Sequence, residues 1–153
     1  MTSYLMELSR EDLYDSVGSV IGANDLEGLR NLYKNGLPWH EGVTCLAADL
    51  GHLECLEFLH RNGCPWDEWT PLHAARGGHL NCLEYAHKNG CPWNSGVCVQ
   101  AVFHGRLDCL KYALDNQCPW DRDITADVID KRIECLKYVR EFITSPSKWV
   151  LTE

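Results

Sequence analysis

The sequence predicts an all-α solenoid of stacked helix pairs, and three observations carry that prediction. Pro-Trp recurs at Pro38-Trp39, Pro65-Trp66, Pro92-Trp93 and Pro119-Trp120, which sets the tryptophans 27 residues apart three times running. Gly51-His52-Leu53-Glu54-Cys55-Leu56 returns in the same register as Gly78-His79-Leu80-Asn81-Cys82-Leu83 and again as Gly105-Arg106-Leu107-Asp108-Cys109-Leu110. Leu53, Leu56 and Leu59 fall at helical spacing, as do Leu80, Leu83 and Ala86, while Glu54, Glu57, Asn81 and Glu84 take the outward side. That is the pattern of a short amphipathic helix. A unit of this size cannot bury its own apolar face, so units must stack and share one core.

Five helix pairs are expected in order: 11–22 with 25–34, 43–50 with 53–61, 70–77 with 80–88, 97–104 with 107–115, and 124–130 with 133–143. The first opens at Ser9-Arg10-Glu11-Asp12, a good helix start, and Asn24 takes the place of the turn glycine, which asparagine tolerates. In the third pair Thr70 is read as the cap and Pro71 as the first helical residue, and Gly78 ends that helix. Asn35-Gly36, Asn62-Gly63 and Asn89-Gly90 close the second helices, with Asn116-Gln117 in the fourth copy. There a left-handed residue ends the helix and the following proline prevents its continuation. The end copies are more polar, as caps are. Leu37 stands where later copies have Cys, and the last copy slips by one residue to Lys131-Arg132-Ile133-Glu134-Cys135-Leu136. One domain over 1–143 is expected, followed by a tail over 144–153 that carries Trp149 and caps the last stack.

Thr70-Pro71-Leu72-His73-Ala74-Ala75, followed by Gly78-His79-Leu80, resembles the ankyrin repeat, whose signature is Thr-Pro-Leu-His with paired alanines and then Gly-His-Leu-Glu. The resemblance covers roughly residues 10–143. The Gly-His-Leu-Glu-Cys-Leu and Asn-Gly-Cys-Pro-Trp phrasing is similar to the divergent arrays of giant DNA viruses. An ordinary unit has about 33 residues, and the roughly six missing here lie mostly between the glycine after the second helix and the threonine that opens the next unit. The resemblance therefore implies an ankyrin-like solenoid with shortened or absent β-hairpin fingers. It also implies a partner-binding role for the inter-unit loops and first-helix faces, in a viral protein acting on host proteins.

Composition bounds the function. A net charge of -8 opposes phosphate backbones, so nucleic acid is not an expected partner. No window reaches the roughly 18 apolar residues of a membrane span. Residues Met1-Thr2-Ser3-Tyr4-Leu5-Met6-Glu7 have neither a basic leader nor an apolar signal region. An intracellular, cytoplasmic protein is expected, in host cytoplasm or nucleus for a viral source. Nine cysteines without a signal region read as reduced thiols.

Seven histidines beside those cysteines raise the question of a metal site. Equivalent positions in stacked helices stand roughly 8–10 Å apart, whereas two thiolates on one zinc lie within about 4.6 Å of each other. The column Cys55, Cys82, Cys109 and Cys135 cannot share an ion or a disulfide in an undistorted stack. Free thiols are common small buried hydrophobes, and that is the expected role, with a pair across neighbouring helices such as Cys82 with Cys98 left open. No metal or other cofactor is expected. The Pro-Trp column is read as a ladder of mostly buried rings that glues units together, and His60 and His87 as packing residues beside it. His52 and His79 start helices beside the glycine turn. His40-Glu41 lacks the second histidine of a zinc protease helix, and neither Gly-x-Ser-x-Gly nor a phosphate-cradling loop occurs, so no enzyme is expected.

A protein-binding surface is expected instead. Within the fixed frame the loop positions vary: His40-Glu41, Asp67-Glu68-Trp69, Asn94-Ser95 and Asp121-Arg122-Asp123. So do the late first-helix positions Asp49-Leu50, Arg76-Gly77 and Phe103-His104. Variation on a repeated frame marks positions that do not pack. Trp69 lies outside the Pro-Trp register, and Trp69, Arg76 and Phe103 are expected to form a central cluster of the types that anchor interfaces. Glu41, Leu50, Glu68, His104 and Arg122 complete the expected surface. Acidic loops favour a basic protein partner, bound by a monomer. The alternatives are a thiol- or metal-responsive protein, a particle that stacks end to end, and a substrate adaptor for a host ubiquitin ligase, although no F-box segment fits.

Overall fold

The computed structural model of the chain describes residues 10–37, 39–120 and 133–144. Helices run through it in the order α1 (Arg10–Gly22), α2 (Leu26–Lys34), α3 (Glu41–Leu50), α4 (Leu53–Arg61), α5 (Trp69–Gly77), α6 (Leu80–Lys88), α7 (Gly96–Phe103), α8 (Leu107–Asp115) and α9 (Ile133–Thr144). Each expected helix among the described residues is present within two residues of its expected ends, and no strand occurs among them. The expected helix over 124–130 and the tail with Trp149 lie outside the described residues.

The turn within each pair follows from its glycine. Gly78 has φ 84°, and the N–H groups of Gly78 and His79 both return to the Ala74 carbonyl, at 3.0 and 2.9 Å. This closes α5 in the left-handed manner. The same glycine row admits the next unit, because the Arg106 side chain lies against Gly78 where a Cβ would stand, and the His79 ring lies against Gly51 in the same way. Asn24 fills the equivalent position with φ 53°, as expected, and Gln117 adopts φ 61° after α8.

The first helices start differently from the expectation. Thr70 is no cap: α5 begins at Trp69, and Thr70 is fully buried with its hydroxyl 3.1 Å from that of Thr44 on α3. The capping groups sit earlier, on the residue after each Pro-Trp pair. His40 Nδ1 accepts from the Gly42 N–H at 3.1 Å, Asp67 Oδ1 from the Trp69 N–H at 3.1 Å, and Asn94 Oδ1 from the Gly96 N–H at 2.9 Å. A buried hydroxyl must find a partner, and the neighbouring helix offered Thr70 one.

Two helix layers result. α1, α3, α5 and α7 pack in one, while α2, α4, α6, α8 and α9 pack in the other. The first layer is the closer packed, because Ala47, Ala48, Ala74, Ala75 and Ala101 are fully buried and hold nothing between neighbouring backbones. Leu29, Leu56, Leu83 and Leu110 repeat through the second layer without exposure and fill the space between layers, each contributing about 2 kcal/mol of burial.

Candidate functional site

Seven of the nine cysteines fall into two columns. Cys64, Cys91 and Cys118 donate S–H bonds to the backbone carbonyls of His40, Asp67 and Asn94, at 3.6, 3.2 and 3.3 Å. Each acceptor belongs to the residue that caps the neighbouring first helix, so one residue per loop is held at both its side chain and its carbonyl. This corrects the reading of these thiols as hydrophobes alone: they are buried weak donors. Leu37 replaces Cys in the copy that has no Pro-Trp loop before it. Cys55, Cys82, Cys109 and Cys135 are buried within helices.

Burial pushes the Cys82 and Cys91 thiols up to about 12 and Cys109 to about 11, and it raises Cys55 as well. Cys118 is raised by its contact with Cys98 and then by burial. The thiols that interact thus include Cys98 with Cys118 and Cys82 with Cys109. Since the thiolate is the nucleophile and the ligand, these shifts hold the thiols in their inert form. Among the described residues no group of three or more His, Cys, Asp and Glu is placed to hold a metal ion.

The Pro-Trp rings form a ladder with histidine and tyrosine. Trp66 stacks on His60 at 3.8 Å, His60 Nδ1 lies 2.9 Å from the hydroxyl of Tyr85 in the next unit, and Tyr85 meets Trp66 edge-on at 6.2 Å. Trp93, His87 and Tyr112 repeat this at 3.9, 2.9 and 6.4 Å. In the first unit Tyr33 takes the histidine's place, stacked on Trp39 and edge-on to Phe58. The histidines therefore pack as expected, and the ladder tryptophans are mostly buried as expected, with Trp39, Trp93 and Trp120 packed against the core.

The variable residues lie along the first-helix layer. Trp69 and Arg76 are seven residues apart on α5, two turns or about 10 Å along one helix face, with Leu72 and His73 between them. Phe103 occupies on α7 the register position of Arg76 on α5 and Asp49 on α3. The expected central cluster is consequently a strip with two bands. Glu68 and Trp69 stand at the N-terminal end of α5, in the band where Glu41 begins α3, and Leu50, Arg76, Phe103 and His104 stand at the C-terminal ends. Arg122 lies outside the described residues.

Trp69 is 54% exposed, Phe103 55% and Leu50 39%, and Glu68 is exposed beside Trp69. The positions equivalent to Trp69 one unit before and after are Gly42 and Gly96, so neither adjacent first helix offers a side chain at its level. Phe103 meets the His104 ring edge-on at 5.1 Å.

Arg76 is engaged within the strip. Its Nε and Nη2 donate to Asp49 Oδ1 and Oδ2 at 2.9 and 2.7 Å, a two-pronged bridge from α5 to α3. His73 Nδ1 lies 3.5 Å from the same carboxylate. Burial pushes the Asp49 carboxyl up, but the Arg76 hydrogen bond and charge, with His73, bring it below its ordinary value. Arg106 Nε adds a bond to the Arg76 carbonyl at 3.2 Å. On the opposite layer a groove of about 340 Å³ runs between α2 and α4, where Arg61 pairs with Glu57 at 2.9 Å and Arg30 lies over the Phe58 ring.

Sequence reasoning missed the capping role of His40, Asp67 and Asn94. Its signal was available, because a residue able to accept a hydrogen bond follows every Pro-Trp pair, Asp121 included. It also missed Tyr85 and Tyr112, which stand 25 residues after His60 and His87.

A family model described as ankyrin repeats matches residues 44–126, with three copies. No curated protein matches the chain.

Proposed function

The chain belongs to the ankyrin-repeat family, and on that premise we propose that it is a non-enzymatic module that binds a protein partner along its first-helix face. Ankyrin repeats are generally protein–protein interaction modules. One observation carries the choice of face: Leu50, Trp69 and Phe103, three of the four large hydrophobics exposed among the described residues, lie on α3, α5 and α7. Exposed aromatic side chains are the commonest anchors of interfaces. The close packing of the first layer supports the same face, because a stack that is tighter on one side bends toward it and makes that side concave. The acidic loop end, where Glu68 stands, favours a basic partner. A viral source, a host protein as partner and a monomeric chain complete the reading. No described helix is long and apolar enough to cross a membrane.

Affinity capture from host-cell extract tests this by comparing the wild-type chain with Trp69→Ala/Phe103→Ala, once both are shown to melt together. The double variant is expected to lose the partner that the wild type retains. Equal recovery by both would refute the first-helix face.

A further inference from the structure

We infer that Trp69 and Glu68 form a subsite for an arginine side chain of the partner, an inference that rests on the first-helix reading above. The ring is open: Trp39, Trp66 and Trp93 are each stacked on a tyrosine or histidine, whereas Trp69 is in no ring contact among the described residues and is flanked in register by Gly42 and Gly96. The adjacent Glu68 carboxylate is exposed and in no ion pair among those residues. Arg76, the cation on the same helix face, is two turns away and committed to Asp49.

An exposed indole one residue along the chain from an exposed carboxylate that is in no ion pair among the described residues, on a chain of net charge -8, is complementary to a cation with a flat face. A guanidinium stacks on an indole and offers paired N–H groups to a carboxylate, while a lysine ammonium supplies the charge without the plane. An acidic segment meets repulsion from Glu68 and Asp67. A purely apolar one strips water from Glu68 without replacing its hydrogen bonds.

The test titrates N-acetyl-arginine methylamide into the full chain and follows the indole N–H resonance of Trp69, identified by its loss in Trp69→Phe. A shift saturating at roughly millimolar ligand is expected, weakened about threefold in Glu68→Gln and on the same order by the neutral citrulline derivative, the size of an exposed charge contact. Equal response to arginine and citrulline, an unchanged response in Glu68→Gln, or equal shifts at Trp66 and Trp93 would overturn the subsite. The two readings fail separately. Capture unaffected by Trp69→Ala/Phe103→Ala removes the first-helix face, whereas capture lost with arginine and citrulline acting alike removes only the subsite.

Discussion

Trp93 and Trp69 occupy opposite regions of the same repeat array and show what separates a packing residue from a binding one. Trp93 recurs in register, lies against His87 and is reached by Tyr112 of the next unit. Trp69 has no counterpart in register, stands between two glycine positions and is more than half exposed. The loop and second-helix wall uses aromatic side chains to join units, Tyr33 to Phe58, His60 and Trp66 to Tyr85, and His87 and Trp93 to Tyr112. The first-helix strip joins units through alanines and the Asp49–Arg76 bridge, which leaves its large apolar side chains unspent. Periodicity, not residue type, distinguishes the two.

The sharpest way to break that comparison is to truncate both rings. Trp93→Ala should lower stability by about 2–4 kcal/mol, the range for losing a large, mostly buried ring and its contacts, whereas Trp69→Ala should stay within about 0.5 kcal/mol. Chemical denaturation measures both, and similar losses at the two sites would erase the distinction. A smaller effect separates the two cysteine columns. Cys91→Ala removes one of the two donors to the Asp67 carbonyl, which keeps the Thr70 N–H at 3.1 Å, and should cost about 1 kcal/mol with the lost packing, less for Cys91→Ser, which can still donate. At Cys82 the order should reverse, because serine there buries a hydroxyl in an apolar wall. The same order at both positions would merge the columns into one.

The smallest expected effect is on pH. Burial, then the nearby Arg61 charge, holds His60 below its ordinary value of 6.5 in the folded chain, so the neutral ring is the native form. Its contribution is complete above pH 6.5 and is lost as the pH falls through the lower folded value. Unfolding midpoints measured from pH 7.5 down to 5 should fall on acidification, and the fall should be shallower in His60→Phe, which cannot titrate. An identical pH dependence in the two proteins would remove His60 from the ladder's titration.

Most helices were legible because their signals are local. Leucine spacing, the glycine turns and the Asn-Gly stops are decided within a few residues of chain, and α4, α6 and α8 begin and end where that chemistry places them. The start of α5 was misplaced because Thr70 looks like a cap to its own segment. Only the adjacent Thr44 reveals why the hydroxyl turns inward. The candidate strip was legible as a set of variable residues but not as a shape. Sequence variation shows that Trp69, Arg76 and Phe103 are not needed for the frame, yet whether they meet depends on helix register, which sets Trp69 two turns from Arg76.

By itself the sequence determined the repeat, the helix pairs and the turn residues, because each depends on spacing along one chain. Tertiary structure alone decided which neighbour answers each polar group. The loop thiols became donors because a carbonyl of the preceding unit lies within reach, and His60 and His87 became parts of a ladder because a tyrosine arrives from the following one. Arg76 became a bridge as well as a surface residue because Asp49 stands opposite it. These partners lie 24 to 27 residues away in the chain, and packing, rather than local preference, brings them together.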